Sequence, residues 1–88
     1  MSKRRFKLTL EVEVDLWIDD KVIKAVDDEW RKSFYQLYTP EDIATHITIN
    51  LMSGYRLTHL DGWADMSDRD AVIGDSEFTA IDVEEIKE

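Results

Sequence analysis

The sequence predicts an α+β fold: a small antiparallel β-sheet with long N-terminal and C-terminal strands, packed against two helices in β-α-α-(β)-β order. Three observations carry this. Residues 6–18 alternate apolar with polar, two following stretches repeat apolar residues at helical spacing, and residues 77–86 are rich in β-formers without helical periodicity. A chain of 88 residues has room for one domain, 1–88, and no more.

The first strand is the clearest element. Phe6, Leu8, Leu10, Val12, Val14, Leu16 and Ile18 lie on one face, and Lys7, Thr9, Glu11, Glu13 and Asp15 on the other, with Trp17 the one apolar exception. Such alternation is the mark of a half-buried strand, one face on a core and one in water. Asp19 and Asp20 then supply helix-start chemistry. Val22 or Ile23, Val26, Trp30, Phe34 and Leu37 recur at three and four, which predicts one amphipathic helix over about 20–37. Asp27 with Arg31, and Asp28 with Lys32, are spaced as i,i+4 ion pairs on its outer side.

The second helix has a defined beginning and end. Thr39 is placed as N-cap, Pro40 in the first turn where its missing N–H costs nothing, and Glu41 and Asp42 follow at the positive end of the dipole. Tyr38 and Ile43 are spaced for a hydrophobic staple; Ile43, Ile47 and Leu51 form the buried stripe; Gly54 ends the helix.

Residues 55–76 read as irregular, with Leu57, Leu60 and Trp63 lining a helical turn or a packed loop and Asp61-Gly62 forming a turn. Asp65 to Asp70 is expected to be exposed, and Ala71 to Ile73 to be a short strand broken at Gly74-Asp75-Ser76. In the last strand the alternation is poor, Phe78 and Ala80 falling on one face and Ile81 and Val83 on the other. Antiparallel pairing of the terminal strands would set Lys3, Arg4, Arg5 and Lys7 beside Glu84, Glu85 and Glu88.

The chemistry-bearing residues exclude more than they suggest. Cysteine is absent, which removes disulfides, thiolate metal sites and cysteine nucleophiles. Gly54, Gly62 and Gly74 are scattered singly, so no phosphate-binding loop is present. The run from Asp65 fails the EF-hand pattern, with Arg69 at the fifth position, Asp70 at the sixth and Ser76 at the twelfth. His46 sits at the edge of the second helix stripe, and His59 near Asp61 and Asp65 has no recognised ligand spacing. Glu84 and Glu85 point to opposite faces of a strand and cannot share a substrate. The expectation is a protein that is not an enzyme and takes no cofactor and no metal.

What remains is charge. Twenty acidic against eleven basic residues give −9, with the acid concentrated in the last third. Such a field repels nucleic acid and anionic membrane and attracts basic protein surfaces. No signal-like apolar segment follows the basic start and no run is long enough to span a membrane, so a cytoplasmic location is expected. Glu11, Glu13 and Asp15 stand ~6.8 Å apart along one strand face, a spacing comparable to that of phosphates on a nucleic-acid backbone. Together with Asp61, Asp65, Asp68, Asp70, Asp75 and Glu77, and with Trp17 as an aromatic anchor, they form the expected partner-binding set. The leading expectation is an acidic binding protein that occupies a basic surface of a nucleic-acid-handling partner. By size and charge it is analogous to phage and mobile-element inhibitors such as anti-CRISPR and anti-restriction proteins, some of them DNA mimics. The alternative is a structural or assembly module that forms a homodimer through a strand edge; a small enzyme of unknown reaction is third.

Overall fold

Two long strands form an antiparallel ribbon that projects from a small helical cap. The computed structural model describes residues 2–87. Strand β1, Arg5–Ile18, pairs with β2, Ala71–Ile86; between them come α1, Asp20–Lys24, α2, Asp28–Ser33, and α3, Pro40–Met52, with single 3-10 turns at Leu57–His59 and Asp68–Asp70. The fold is therefore α+β, with helices between terminal strands. The radius of gyration is 16.7 Å and the longest dimension 51 Å, against ~12 Å for the radius of a globular domain of this length.

The region expected to be one helix over 20–37 is two. Asp27 accepts a hydrogen bond from Trp30 N at 2.9 Å and caps α2 itself. The triplet Asp27-Asp28-Glu29 ahead of Arg31-Lys32 is a second helix start, with acid at the positive end and base at the negative end. Arg31 consequently pairs with Asp28, at 3.1 Å, rather than with Asp27. Helix α3 begins as expected: Thr39 caps it through a capping box with Asp42, behind Pro40. Gly54 follows its C-terminus with φ of 95°, a conformation that favours glycine.

Helical and loop residues supply most of the core. Val22, Val26, Trp30, Ile43, Ile47, Leu57, Leu60, Trp63 and Ala71 are buried, with Leu16, Ile18 and Leu37 packed against them. Trp63 is fully buried and donates its Nε1–H to the Val22 carbonyl at 3.2 Å. The stretch 55–70 is thus a packed loop around Leu57, Leu60 and Trp63.

The C-terminal strand is longer than expected and begins at Ala71. Gly74 and Asp75 do not break it; the register passes from Val14 facing Ser76 to Leu16 facing Ile73, so β2 carries one extra residue there. A second extra residue, Ile81, falls where Thr9 faces Asp82 and Leu10 faces Ala80. That bulge resets the alternation. Val83, opposite Leu8, lies on the same face as Phe78, opposite Val12, contrary to the sequence expectation that they diverge. The charged ends meet as expected, Lys7 facing Glu84 and Arg4 forming a two-pronged pair with Glu85 at 2.7 and 2.9 Å; Glu88 lies outside the described residues.

Candidate functional site

The ribbon has two chemically distinct faces, both fixed by the register. Opposed residues of antiparallel strands share a face, so Phe6, Leu8, Leu10 and Val12 of β1 join Val83, Ala80 and Phe78 of β2. The sequence expectation was that this face packs on a core. Only its inner end does so, at Leu16, Ile18 and Ala71, and exposure falls there and at Ile73. Phe6, Leu8, Leu10, Phe78 and Val83 are 47–56% exposed. Length explains the difference. A 13-residue helix covers about 20 Å, whereas the 14 residues of β1 extend about 48 Å.

The opposite face carries the acid. Glu11 faces Thr79, and Glu13 faces Glu77 directly. Asp15 and Asp75 line the same open groove as Glu13 and Glu77. Like charges directly opposed across a ladder destabilise it, so the Glu13–Glu77 pair is a local cost of the ribbon. Trp17, opposite Val72 at the inner end of this face, is 72% exposed and rests by Gly74, where a Cβ would come within 3.0 Å of its Nε1.

The remaining expected partner-binding residues separate from this set. Asp61 and Asp65 are exposed on the loop between α3 and β2. Asp68 accepts hydrogen bonds from Thr58 N at 3.1 Å and Thr58 Oγ1 at 2.6 Å, which hold its carboxyl below the ordinary carboxylate value. Asp70 is not exposed, contrary to expectation: only 9% of it is accessible, it accepts from Ser67 N at 2.8 Å and pairs with Lys21 at 3.1 Å. Its pKa is lowered first by the Ser67 backbone bond. Asp70 belongs to the packing of the loop rather than to its exposed surface. Its sequence signal was Ser67, three residues earlier, which completes a capping box with it.

His46 is half-buried, its ring 4.4 Å from that of Tyr35 and 6.1 Å from that of Trp63, and desolvation lowers its pKa. Its Nε2 is buried without a hydrogen-bond partner among the described residues. Among those residues no three His, Asp or Glu side chains converge to hold a metal ion, and no helix is long and apolar enough to cross a membrane. No protein-family model, curated protein or solved structure matches this chain.

Proposed function

We propose that this protein is a non-enzymatic assembly module that binds other protein through its projecting ribbon. One observation carries this reading: a row of large apolar side chains, Phe6, Leu8, Leu10, Phe78 and Val83, lines one ribbon face and stands about half in water. Contiguous exposed apolar surface on a small domain marks an interaction site, and a two-stranded ribbon is marginally stable in water by itself. The test is a photo-reactive benzoylphenylalanine in place of Leu10, irradiated in cells of the native source. A covalent adduct with a protein is expected there, and none from the same probe at Ile49, an exposed apolar position on α3. Absence of any adduct at position 10 overturns the reading.

The acidic face supports a second reading, in which a basic surface of a nucleic-acid-handling protein is the partner, as for an inhibitor or DNA mimic. Its support is the grouping of Glu11, Glu13, Asp15, Asp75 and Glu77 on one side of the ribbon. Binding of this kind weakens steeply above ~0.15 M salt, where the Debye length is about 8 Å. An interaction indifferent to salt would overturn it.

A further inference from the structure

The two ribbon edges differ in a way that selects a partner for one of them. Both extra residues of the ladder lie in β2, so its outer edge is interrupted twice. That strand also carries Asp75, Glu77, Asp82, Glu84 and Glu85. Bulges and like charges are the devices that stop an edge from pairing. Strand β1 carries no bulge, and its charges are of both signs, basic at Arg5 and Lys7 and acidic at Glu11, Glu13 and Asp15. It runs without an inserted residue from Arg5 to Ile18, and every residue from Arg5 to Glu13 is exposed.

The charge order along β1 is self-complementary. On its polar face the sequence is Lys3, Arg5, Lys7, Thr9, Glu11, Glu13, Asp15. A second β1 laid antiparallel with Thr9 facing Thr9 sets Lys7 against Glu11, Arg5 against Glu13 and, just before the strand, Lys3 against Asp15. Moving the register by two residues either way leaves a basic residue without its acid. In the same register Phe6 faces Val12 and Leu8 faces Leu10, so the apolar faces also join. We propose that the partner at this edge is a second copy of the chain, bound by antiparallel β1–β1 addition centred on Thr9. This rests on the ribbon being a binding surface and adds the occupant and the register.

Three consequences support the arrangement. Arg5 of the second copy stands beside Glu13 and relieves its opposition to Glu77, the one like-charge pair in the ladder register. Two strands become four, beyond the point at which a sheet with an apolar face is stable. The two-fold axis crosses the sheet, so both helical caps stay on the apolar side and fall at opposite ends. Between them lies a four-stranded apolar floor.

The absence of native cysteine makes the register directly measurable. In Thr9→Cys the two thiols would face each other across the two-fold axis, with Cα atoms ~4.5–5.5 Å apart, within disulfide range. In Glu11→Cys the same atoms would be separated by four residues, about 14 Å, and could not bridge. The expected result is a disulfide dimer from the first variant and none from the second. Charge reversal supplies an independent reading by sedimentation equilibrium. Arg5→Glu and Glu13→Arg each place like charges across the interface and should weaken self-association about tenfold or more. Their equimolar mixture restores both complementary pairs and should recover dimer. Arg5 faces Ile86, so its reversal creates no like-charge pair within the ribbon. Wild-type chain that remains monomeric at ~1 mM, or a dimer that Thr9→Cys does not bridge, overturns the proposal. In either case an adduct of the Leu10 probe with a different protein leaves the ribbon a binding surface, whereas no adduct removes both readings together.

Discussion

The indole of Trp30 lies against the backbone of Gly62 and donates its Nε1–H to the Gly62 carbonyl at 3.1 Å. A Cβ at that position would sit 2.4–2.5 Å from three atoms of the ring, and the glycine has φ of 98°. Space and backbone conformation therefore require glycine independently. Gly62→Ala should cost about 2–4 kcal/mol, the sum of a left-handed penalty and an overpacked core. Gly54→Ala, with φ of 95° but open space around it, should cost about 1 kcal/mol. Urea unfolding of the two variants measures the difference; equal losses would mean that the Trp30 contact contributes nothing.

Trp63 should be the most sensitive core position. It is fully buried, stacks obliquely on Trp30 at 4.8 Å and satisfies the Val22 carbonyl. Trp63→Phe shortens the ring and leaves that carbonyl without its donor, for an expected loss of about 2–4 kcal/mol. Trp17, at 72% exposure, should behave oppositely. Its replacement by Phe should leave the unfolding midpoint nearly unchanged while removing most of the acrylamide-quenchable tryptophan fluorescence.

Acid should unfold this protein in two stages, and both signs agree. Desolvation lowers the His46 pKa, so the fold prefers the neutral ring; its contribution is present above the unfolded value of about 6.5 and is lost as pH falls through the depressed one. Asp70, held down by the Ser67 amide and Lys21, Asp68, held by Thr58, and Glu85, held by Arg4, are likewise depressed. Their contributions are present above the ordinary carboxylate range and disappear below about pH 4. His46→Leu, which removes a buried nitrogen without a partner, should flatten the stability profile near pH 6 and leave the lower limb in place. Asp70→Asn should weaken the lower limb instead. Thermal melts across pH 3–8 distinguish the two.

Substitutions at the outer ribbon should separate binding from folding. Leu8→Thr and Val83→Thr alter a cross-strand pair that is more than half exposed. At low protein concentration each should change stability by no more than about 0.5–1 kcal/mol. A loss of several kcal/mol would mean that the pair is buried in solution even in the isolated chain.

Strand β1 was legible because its alternation runs from Phe6 to Ile18 with Trp17 the one exception, and α3 because Thr39-Pro40 marks its start. The same periodicity misled over residues 20–37: Val26 and Trp30 are both buried and keep helical spacing, yet Asp27 between them caps a new helix. In β2, Ile81 shifts the phase by one residue, which disguises a single strand face as two. Asp70 looked exposed because acids usually are; the local signal against that was the capping box with Ser67, while the pairing with Lys21, distant in sequence, lies beyond local pattern. Among the site residues, Glu11, Glu13 and Asp15 were readable as a ladder from the sequence. Asp75 and Glu77 were expected in the same set, and that they share one groove with Glu13 and Asp15 followed from the fold. Least legible was the missing cover over Phe6 to Val12, since alternation reports that a face is apolar and not whether anything lies on it.

The core holds the strands at Leu16, Ile18 and Ala71, which makes the outer part of the ribbon a cantilever. Its outer half can vary in sequence without disturbing Trp30, Ile47 or Trp63. On the proposed reading, recognition and folding fall on different residues, and a lineage could exchange partners by rewriting a few positions on β1 while the anchorage stays as it is.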